Sequence, residues 1–206
     1  FQRFANMLAD RLSEMGVDVR LGAAVTRIQN KEGSTLVEVE AGKTETFDMV
    51  LVTLSPEAMS RLTPSLPGEY LQGLRSMKSM GAVVLIAALK HQLSKEGYYW
   101  YNLPKKAGYP FLALVEHTNY VSAEHFGGDH IVYMGDYLEP AHEYFQLSQE
   151  ELLERFLPAL LKVNPLFKRD WVRKTWLFRT RYAQPVPLVN HSKNIPSIET
   201  PLPGIY

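Results

Sequence analysis

Between residues 80 and 180 the chain returns repeatedly to short runs rich in Val, Ile, Tyr, Phe and Trp. Side chains that are branched or aromatic lose freedom in a helix and pack well on a pleated surface. The runs fall at 81–90, 98–103, 111–117, 130–138 and 171–180, and they predict one large sheet. A single strong helix interrupts them. Ser148-Gln149-Glu150-Glu151 reads as a capping box, and Leu152, Leu153, Phe156, Leu160 and Leu161 form one apolar face behind it. Pro158 predicts a kink or a break in that helix.

The texture before residue 67 is different. Phe1, Phe4, Ala5, Leu8, Leu12 and Met15 recur at helical spacing, and Gly16 is the natural C-cap. Val17, Val19 and Leu21 alternate with Asp18 and Arg20, which predicts a strand. Segments 25–28 and 36–39 predict a hairpin around Asn30-Lys31-Glu32-Gly33, and a second turn at Ala41-Gly42-Lys43 leads into 44–47. The continuous apolar run 49–53 predicts a strand buried on both faces. Ser55-Pro56-Glu57 starts a helix, with Ser55 as cap, Pro56 at the first helical position and Glu57 complementing the dipole. Leu66-Pro67-Gly68 closes that region. Two parts are therefore expected: 1–66, a helix plus β-hairpins, and 67–206, carrying the large sheet.

The resulting fold class is α+β, a mixed sheet flanked by helices with a smaller three-stranded β-layer near the N-terminus. Beyond Tyr182, Pro185, Pro187, Pro196, Pro201 and Pro203 predict extended, irregular chain. The chain starts inside a helix and stops inside a strand, which leads us to expect a piece of a longer protein.

Composition narrows the function classes. The 206 residues carry 22 basic and 22 acidic side chains, so bulk electrostatic binding of nucleic acid is disfavoured. No cysteine is present, which excludes disulfides, thiolate metal sites and a cysteine nucleophile, and fits a reducing, cytoplasmic setting. The longest purely apolar run, 82–89, is far short of the ~20 residues of a membrane span, and no basic leader opens the chain. No G-x-G occurs and no G-x-x-x-x-G-K-[ST], since Gly42-Lys43-Thr44 has Val37 where that pattern needs glycine, so neither a dinucleotide fingerprint nor a P-loop is present.

Several groups of residues could carry chemistry. Glu116-His117-Thr118-Asn119 ends an apolar strand, where either a site or a strand reaching solvent is expected. His125 and His130 bracket Gly127-Gly128-Asp129, a pattern that suits a solvated turn better than a metal site. In Tyr98-Tyr99-Trp100-Tyr101, alternation sends Tyr98 and Trp100 to one face and Tyr99 and Tyr101 to the other. One of these faces could line a pocket for a bulky apolar ligand, or both could simply pack. Arg169, Arg173, Lys174, Arg179 and Arg181 are interleaved with Trp171, Trp176, Phe178 and Tyr182, a mixture that can bind stacked rings or nucleic acid, although the charges fall on both parities.

Together these residues resemble a known family. The helix, "GAAVTRIQ", the hairpins and "FDMVLVTLSPEAMSRLTPSLP" are similar to the middle of FAD-dependent amine oxidases and their relatives, protoporphyrinogen oxidase and phytoene desaturase. Asp48 to Pro56 gives D-M-V-L-V-T-L-S-P, matching the family's "D-x-V-[IV]-x-[AT]-x-P". The tail "WLFRTRYAQPVPLVNHSKNIPSIETPLPGIY" resembles the approach to the family's last FAD-binding segment. The family's N-terminal G-x-G-x-x-G is not in this sequence, and its C-terminal flavin motif would follow Tyr206.

The resemblance implies a substrate-binding domain over 67–206 and part of an FAD-binding domain over 1–66. It implies FAD in the full-length parent, not held by this chain alone, which would then be inactive in isolation. It places Val25 at a main-chain contact to the adenine, Ser55 and Pro56 near the cofactor, and Tyr182 near the flavin ring. The implied reaction is hydride transfer to flavin from an amine or a bulky apolar substrate. The implied partners are a small-molecule substrate and the missing FAD-binding part of the same polypeptide. Neither nucleic acid nor a membrane span is expected, while the apolar surface left without its domain partner would favour a dimer. From another class, a non-catalytic domain could use the aromatic sheet face to hold a ligand or protein partner.

Overall fold

The computed structural model describes residues 1–31, 33–40 and 42–206. The expected turns at Asn30–Gly33 and Ala41–Lys43 include Glu32 and Ala41, which lie outside the described residues. The chain divides into two compact units, Phe1–Met77 with Asn190–Tyr206, and Lys78–Val189. The sequence suggested a division after residue 66 with no later return to the first part.

In the second unit five strands form one sheet: β4 (Ser79–Leu89), β5 (Trp100–Asn102), β6 (Ala113–Glu116), β7 (His130–Leu138) and β8 (Val172–Pro185). Their order is β5-β6-β7-β4-β8, and every pairing is antiparallel. The α+β class stands, but the sheet is antiparallel where a mixed one was expected. The helix 149–163 carries the chain from β7 across to β8, but β4 lies between these two like-directed strands, so no parallel ladder forms. The two aromatic runs at 98–103 and 111–117 contribute only three and four paired residues.

β4 sets the two-sided character of this sheet. Val83, Leu85, Ala87 and Leu89 point inward and are buried, while Ala82, Val84 and Ile86 point outward and are half-buried. The inner face is closed by α4 (Gln149–Val163), whose Leu152, Leu153, Phe156 and Leu160 are fully buried in the same core. Phe111 and Phe156 meet edge to face at 4.8 Å there. The capping box is present, with Ser148 Oγ accepting from Glu151 N–H and the Glu151 carboxylate accepting from Ser148 N–H at 2.7 Å. Of the kink or break expected at Pro158, the break does not occur, and helix α4 runs through it. Pro158 removes one backbone donor, but Phe156, Leu157, Ala159 and Leu160 on either side are buried and hold the turn in place.

In the first unit β1 (Val25–Lys31), β2 (Ser34–Val39) and β3 (Lys43–Phe47) form the antiparallel three-stranded layer. α2 (Pro56–Leu62) begins as expected, with Ser55 Oγ accepting from Ala58 N–H at 3.2 Å. α3 (Gly68–Ser76) follows; its apolar signal is only Leu71 and Leu74 within nine residues, and sequence reasoning missed it. These helices, Ile28 and Ile205 form a second small core.

Two strand expectations fail in this unit. Residues 17–21 are not a strand, and Leu21 is 92% exposed. A strand needs a partner for its ladder, and none pairs with this segment among the described residues. Residues 49–53 make a single parallel bridge, Val50 with Ile205, joined by hydrogen bonds between Val52 N–H and Tyr206 O and between Tyr206 N–H and Val50 O. Val50 and Val52 face the small core, but Met49 and Leu51 are about two-thirds exposed, so the run is covered on one side only. α1 (Gln2–Glu14) is likewise amphipathic, yet none of its residues is buried.

The Ser148 hydrogen bonds hold the Glu151 carboxyl below the ordinary carboxylate range. A group depressed in the folded state contributes stability above its unfolded pKa and loses that contribution as pH falls through its folded one. Glu151→Ala is therefore expected to lower resistance to urea at pH 7. The gap from wild type should close as pH falls below the ordinary glutamate range, and unfolding titrations at stepped pH check this.

Candidate functional site

The outer face of the five-stranded sheet is the feature from which a site can be built. Register places Trp176, Ile86, Tyr133, Val115 and Trp100 in one row across all five strands. The next row is Phe178, Val84, Gly135, Ala113 and Asn102, and beyond it Thr180, Ala82 and Tyr137 follow one another. The middle row is thus low at its centre, with rings rising on either side. A cavity of about 380 Å3 opens there, within the roughly 300–1,000 Å3 typical of small-molecule sites.

Trp100 and Tyr99 both line this cavity. Strict alternation would have separated them, but Tyr99 precedes the first paired residue of β5 and is free of its pleat. Tyr101 turns to the inner core instead.

His117 stands at the cavity rim where β6 ends in a short 3-10 turn. Rings surround it: Phe126 at 5.6 Å, Tyr133 at 5.7 Å and Tyr99 at 6.3 Å. Its three sequence neighbours are occupied in holding the turn. Glu116 is buried and accepts from Ser94 N–H at 3.1 Å, Thr118 accepts from Ile131 N–H, and Asn119 donates to Tyr98 O. The polar strand end seen in the sequence therefore delivers one side chain to the cavity.

Among the described residues no carboxylate group faces into the hollow. Asp136 borders it through its backbone position, but it lies opposite Val83 on the inner side, where it is buried and paired with Lys105 Nζ at 3.0 Å. His125 lies in the 3-10 turn 123–126 and His130 opens β7. Gly127 and Gly128, both at positive φ, turn the chain between them. Among the described residues no cluster of His, Asp or Glu suits a metal ion.

The basic stretch is engaged throughout. Arg169 bridges Glu150 and Glu154, which keep its pKa raised, and Arg173 pairs with Asp129 at 3.2 Å. Arg179 donates to the Phe145 and Leu147 carbonyls, Arg181 donates to Pro140 O, and Lys174 sits over the Trp176 ring. These cations bind the protein to itself.

The residues expected near a cofactor fall in separate places. Val25 opens β1, an edge strand whose outward backbone groups lack a ladder partner, beside a hollow of about 520 Å3. Asp18 and Glu45 both pair with Arg20 in that hollow. Ser55 is committed to its capping bond, and Pro56 borders a different, apolar hollow of about 280 Å3 with Tyr70 and Tyr206.

Tyr182 belongs to the other unit and sits on a bulge. Between the pairs Ala82–Thr180 and Met80–Gln184 one residue of β4 opposes three of β8. The single opposing residue is Gly81, where a Cβ would lie 2.7 Å from Thr180 O and 2.5 Å from Phe145 Cζ. Glycine is needed for the bulge carrying Tyr182 to come this close, a requirement that no local sequence signal announces.

Across residues 1–206 the chain matches a family described as flavin containing amine oxidoreductase. Solved structures share the fold. A candidate protoporphyrinogen oxidase from Exiguobacterium sp. 255-15 is 18% identical with a TM-score of 0.74, covering 92% of this chain and 41% of its own. An oxidoreductase from Methanosarcina mazei is 17% identical at 0.70, covering 97% and 46%. Reduced UDP-galactopyranose mutase is 15% identical at 0.69, covering 88% and 39%. At these identities the likeness is one of fold, and this chain spans less than half the length of each. No curated protein sequence matches it. Among the described residues no helix is long and apolar enough to cross a membrane.

Two outcomes follow from this geometry. Gly81→Ala should destabilise the second unit by about 1–3 kcal/mol, because the buried Phe145 ring and the Thr180 carbonyl both block the new Cβ; denaturant unfolding measures it. Protein carrying the 169–182 stretch should flow through a heparin column at ~0.15 M salt, since Arg169 and Arg173 are paired with carboxylates and Arg179 and Arg181 are tied to backbone carbonyls.

Proposed function

Because the chain belongs to the flavin containing amine oxidoreductase family, we propose that it forms part of an FAD-dependent oxidoreductase. In this reading the Lys78–Val189 unit supplies the substrate face, and the Phe1–Met77 unit with Asn190–Tyr206 belongs to the FAD-binding part. The substrate is an amine or a bulky apolar molecule.

The observation that carries the reading is the outer sheet face. An open, ring-lined cavity on one side of a sheet whose other side is sealed suits a bound organic molecule. When bound, a flavin would supply the electron-accepting chemistry, taking a hydride equivalent from a C–H bond while the neighbouring N or C loses a proton, so that a C–N or C–C single bond becomes a double bond. The tasks left to this chain are to position the substrate and exclude water, which rings and apolar side chains perform.

The residues present fit one end of FAD. The free edge of β1 at Val25, beside its open hollow, suits a main-chain contact to the adenine. No glycine-rich turn that could hold the pyrophosphate occurs in the sequence, so that task falls to other parts of the parent. Ser55 and Pro56 shape the turn that ends the 49–53 segment near the cofactor, and Tyr182 on its bulge is the ring offered to the flavin. The bare sides of α1, of 17–21 and of Met49 and Leu51 are covered by the remainder of the same polypeptide.

The test is the absorption spectrum of the full-length protein. Bands near ~370 and ~450 nm that bleach on anaerobic reduction are expected of a bound flavin. A folded, colourless full-length protein overturns the proposal and leaves a ligand-binding domain in its place.

A further inference from the structure

We propose that the trough on the outer sheet face takes a neutral, flat ring system, laid on Ala82, Val84, Ala113 and Gly135 with a polar edge toward His117. The inference rests on the reading of this face as the substrate side, and it narrows the substrate from amine or apolar molecule to one class.

Shape is the first reason. The floor residues are small or lack a side chain, and register makes them neighbours: Gly135 lies between Val84 and Ala113, and Ala82 is one step along β4. A Cβ on Gly135 would already lie 3.3 Å from Val84 Cγ2, so any longer side chain must rise into the trough. Trp100 and Tyr133 stand in the row on one side and Tyr137 stands on the other. A flat apolar body meets this floor across its face and the walls at its edges.

Charge is the second. An ammonium needs either a carboxylate or ring faces converging on an open centre. The nearest carboxylate, Asp136, is buried on the opposite side and paired with Lys105. The ring cluster of Tyr99, Phe126 and Tyr133 is centred on the His117 imidazole, so its middle is filled by the protein's own group. An anion fares no better, since Lys105 is taken by Asp136 and Lys174 lies over Trp176 at the β8 edge. His117 at the rim can donate to or accept from a neutral polar substituent.

The experiment uses the full-length protein and two probes with one ring: 2-naphthylmethanol, neutral, and 2-naphthylmethylammonium, cationic. Calorimetric titration should show the alcohol binding at least about tenfold more tightly. Gly135→Leu should weaken the alcohol by at least about tenfold with the melting temperature kept. Should Gly135→Leu fail to fold, Ala113→Val fills the same floor more gently and should weaken it in the same direction. His117→Phe keeps a ring at the rim and should weaken 2-naphthylmethanol while leaving unsubstituted naphthalene unchanged. Equal or tighter binding of the ammonium, or indifference to a filled floor, overturns the proposal. The flavin bands of the same samples separate the two readings. A colourless protein with the expected preference sinks the flavoenzyme reading and upholds the ligand class, and a yellow protein that prefers the ammonium does the reverse.

Discussion

The closure of one side of the five-stranded sheet by α4 is the constraint on which the second unit depends. β4 lies between β7 and β8 and alternates from Gly81 to Ala87, so once Val83, Leu85 and Ala87 are buried beneath the sheet, Val84 and Ile86 must face away. A one-residue slip would exchange the two sets and expose the core. The outer face is thereby committed, and it is furnished with rings and small residues instead of the charged side chains that a solvated sheet face usually carries. An apolar face backed by a fully packed underside is pre-organised for a ligand, because its backbone has little freedom to lose when one binds.

The first unit shows the opposite condition. Its apolar pattern asks for more covering than its own residues provide. α1 has a clear apolar stripe and no buried residue, and the run 49–53 is packed through Val50 and Val52 alone. Hydrophobic periodicity records the environment for which a segment was selected, whether or not that environment lies in the same stretch of chain. The failed strand at 17–21 has the same origin, since the alternation of Val17, Val19 and Leu21 is real while the ladder it calls for is not among the described residues.

Much of the second unit was legible for definite reasons. The helix 149–163 announced itself twice, by its capping box and by its spacing, and burial overrode Pro158. The strand end at Glu116–Asn119 was visible as polar residues closing an apolar run, although only contacts in space show that His117 alone turns to the cavity. The cavity floor was not legible. Gly135, Val84 and Ala113 are distant in sequence, and only strand order and register bring them into one row. The role of Gly81 was hidden for the same reason, because the atoms that exclude a side chain there belong to Thr180 and Phe145. The basic stretch misled in the reverse sense, as its cations find their partners in carbonyls and carboxylates far along the chain.

The most direct test of the account is hydroxyl-radical footprinting of the full-length protein with and without 2-naphthylmethanol. The account predicts slower oxidation of Trp100, Tyr133 and Tyr137 on ligand addition, while Tyr101 and Tyr144, packed on the inner side, keep their rates. Unchanged rates at the three outer-face rings, or protection confined to the hollows beside Val25 and Pro56, would contradict it.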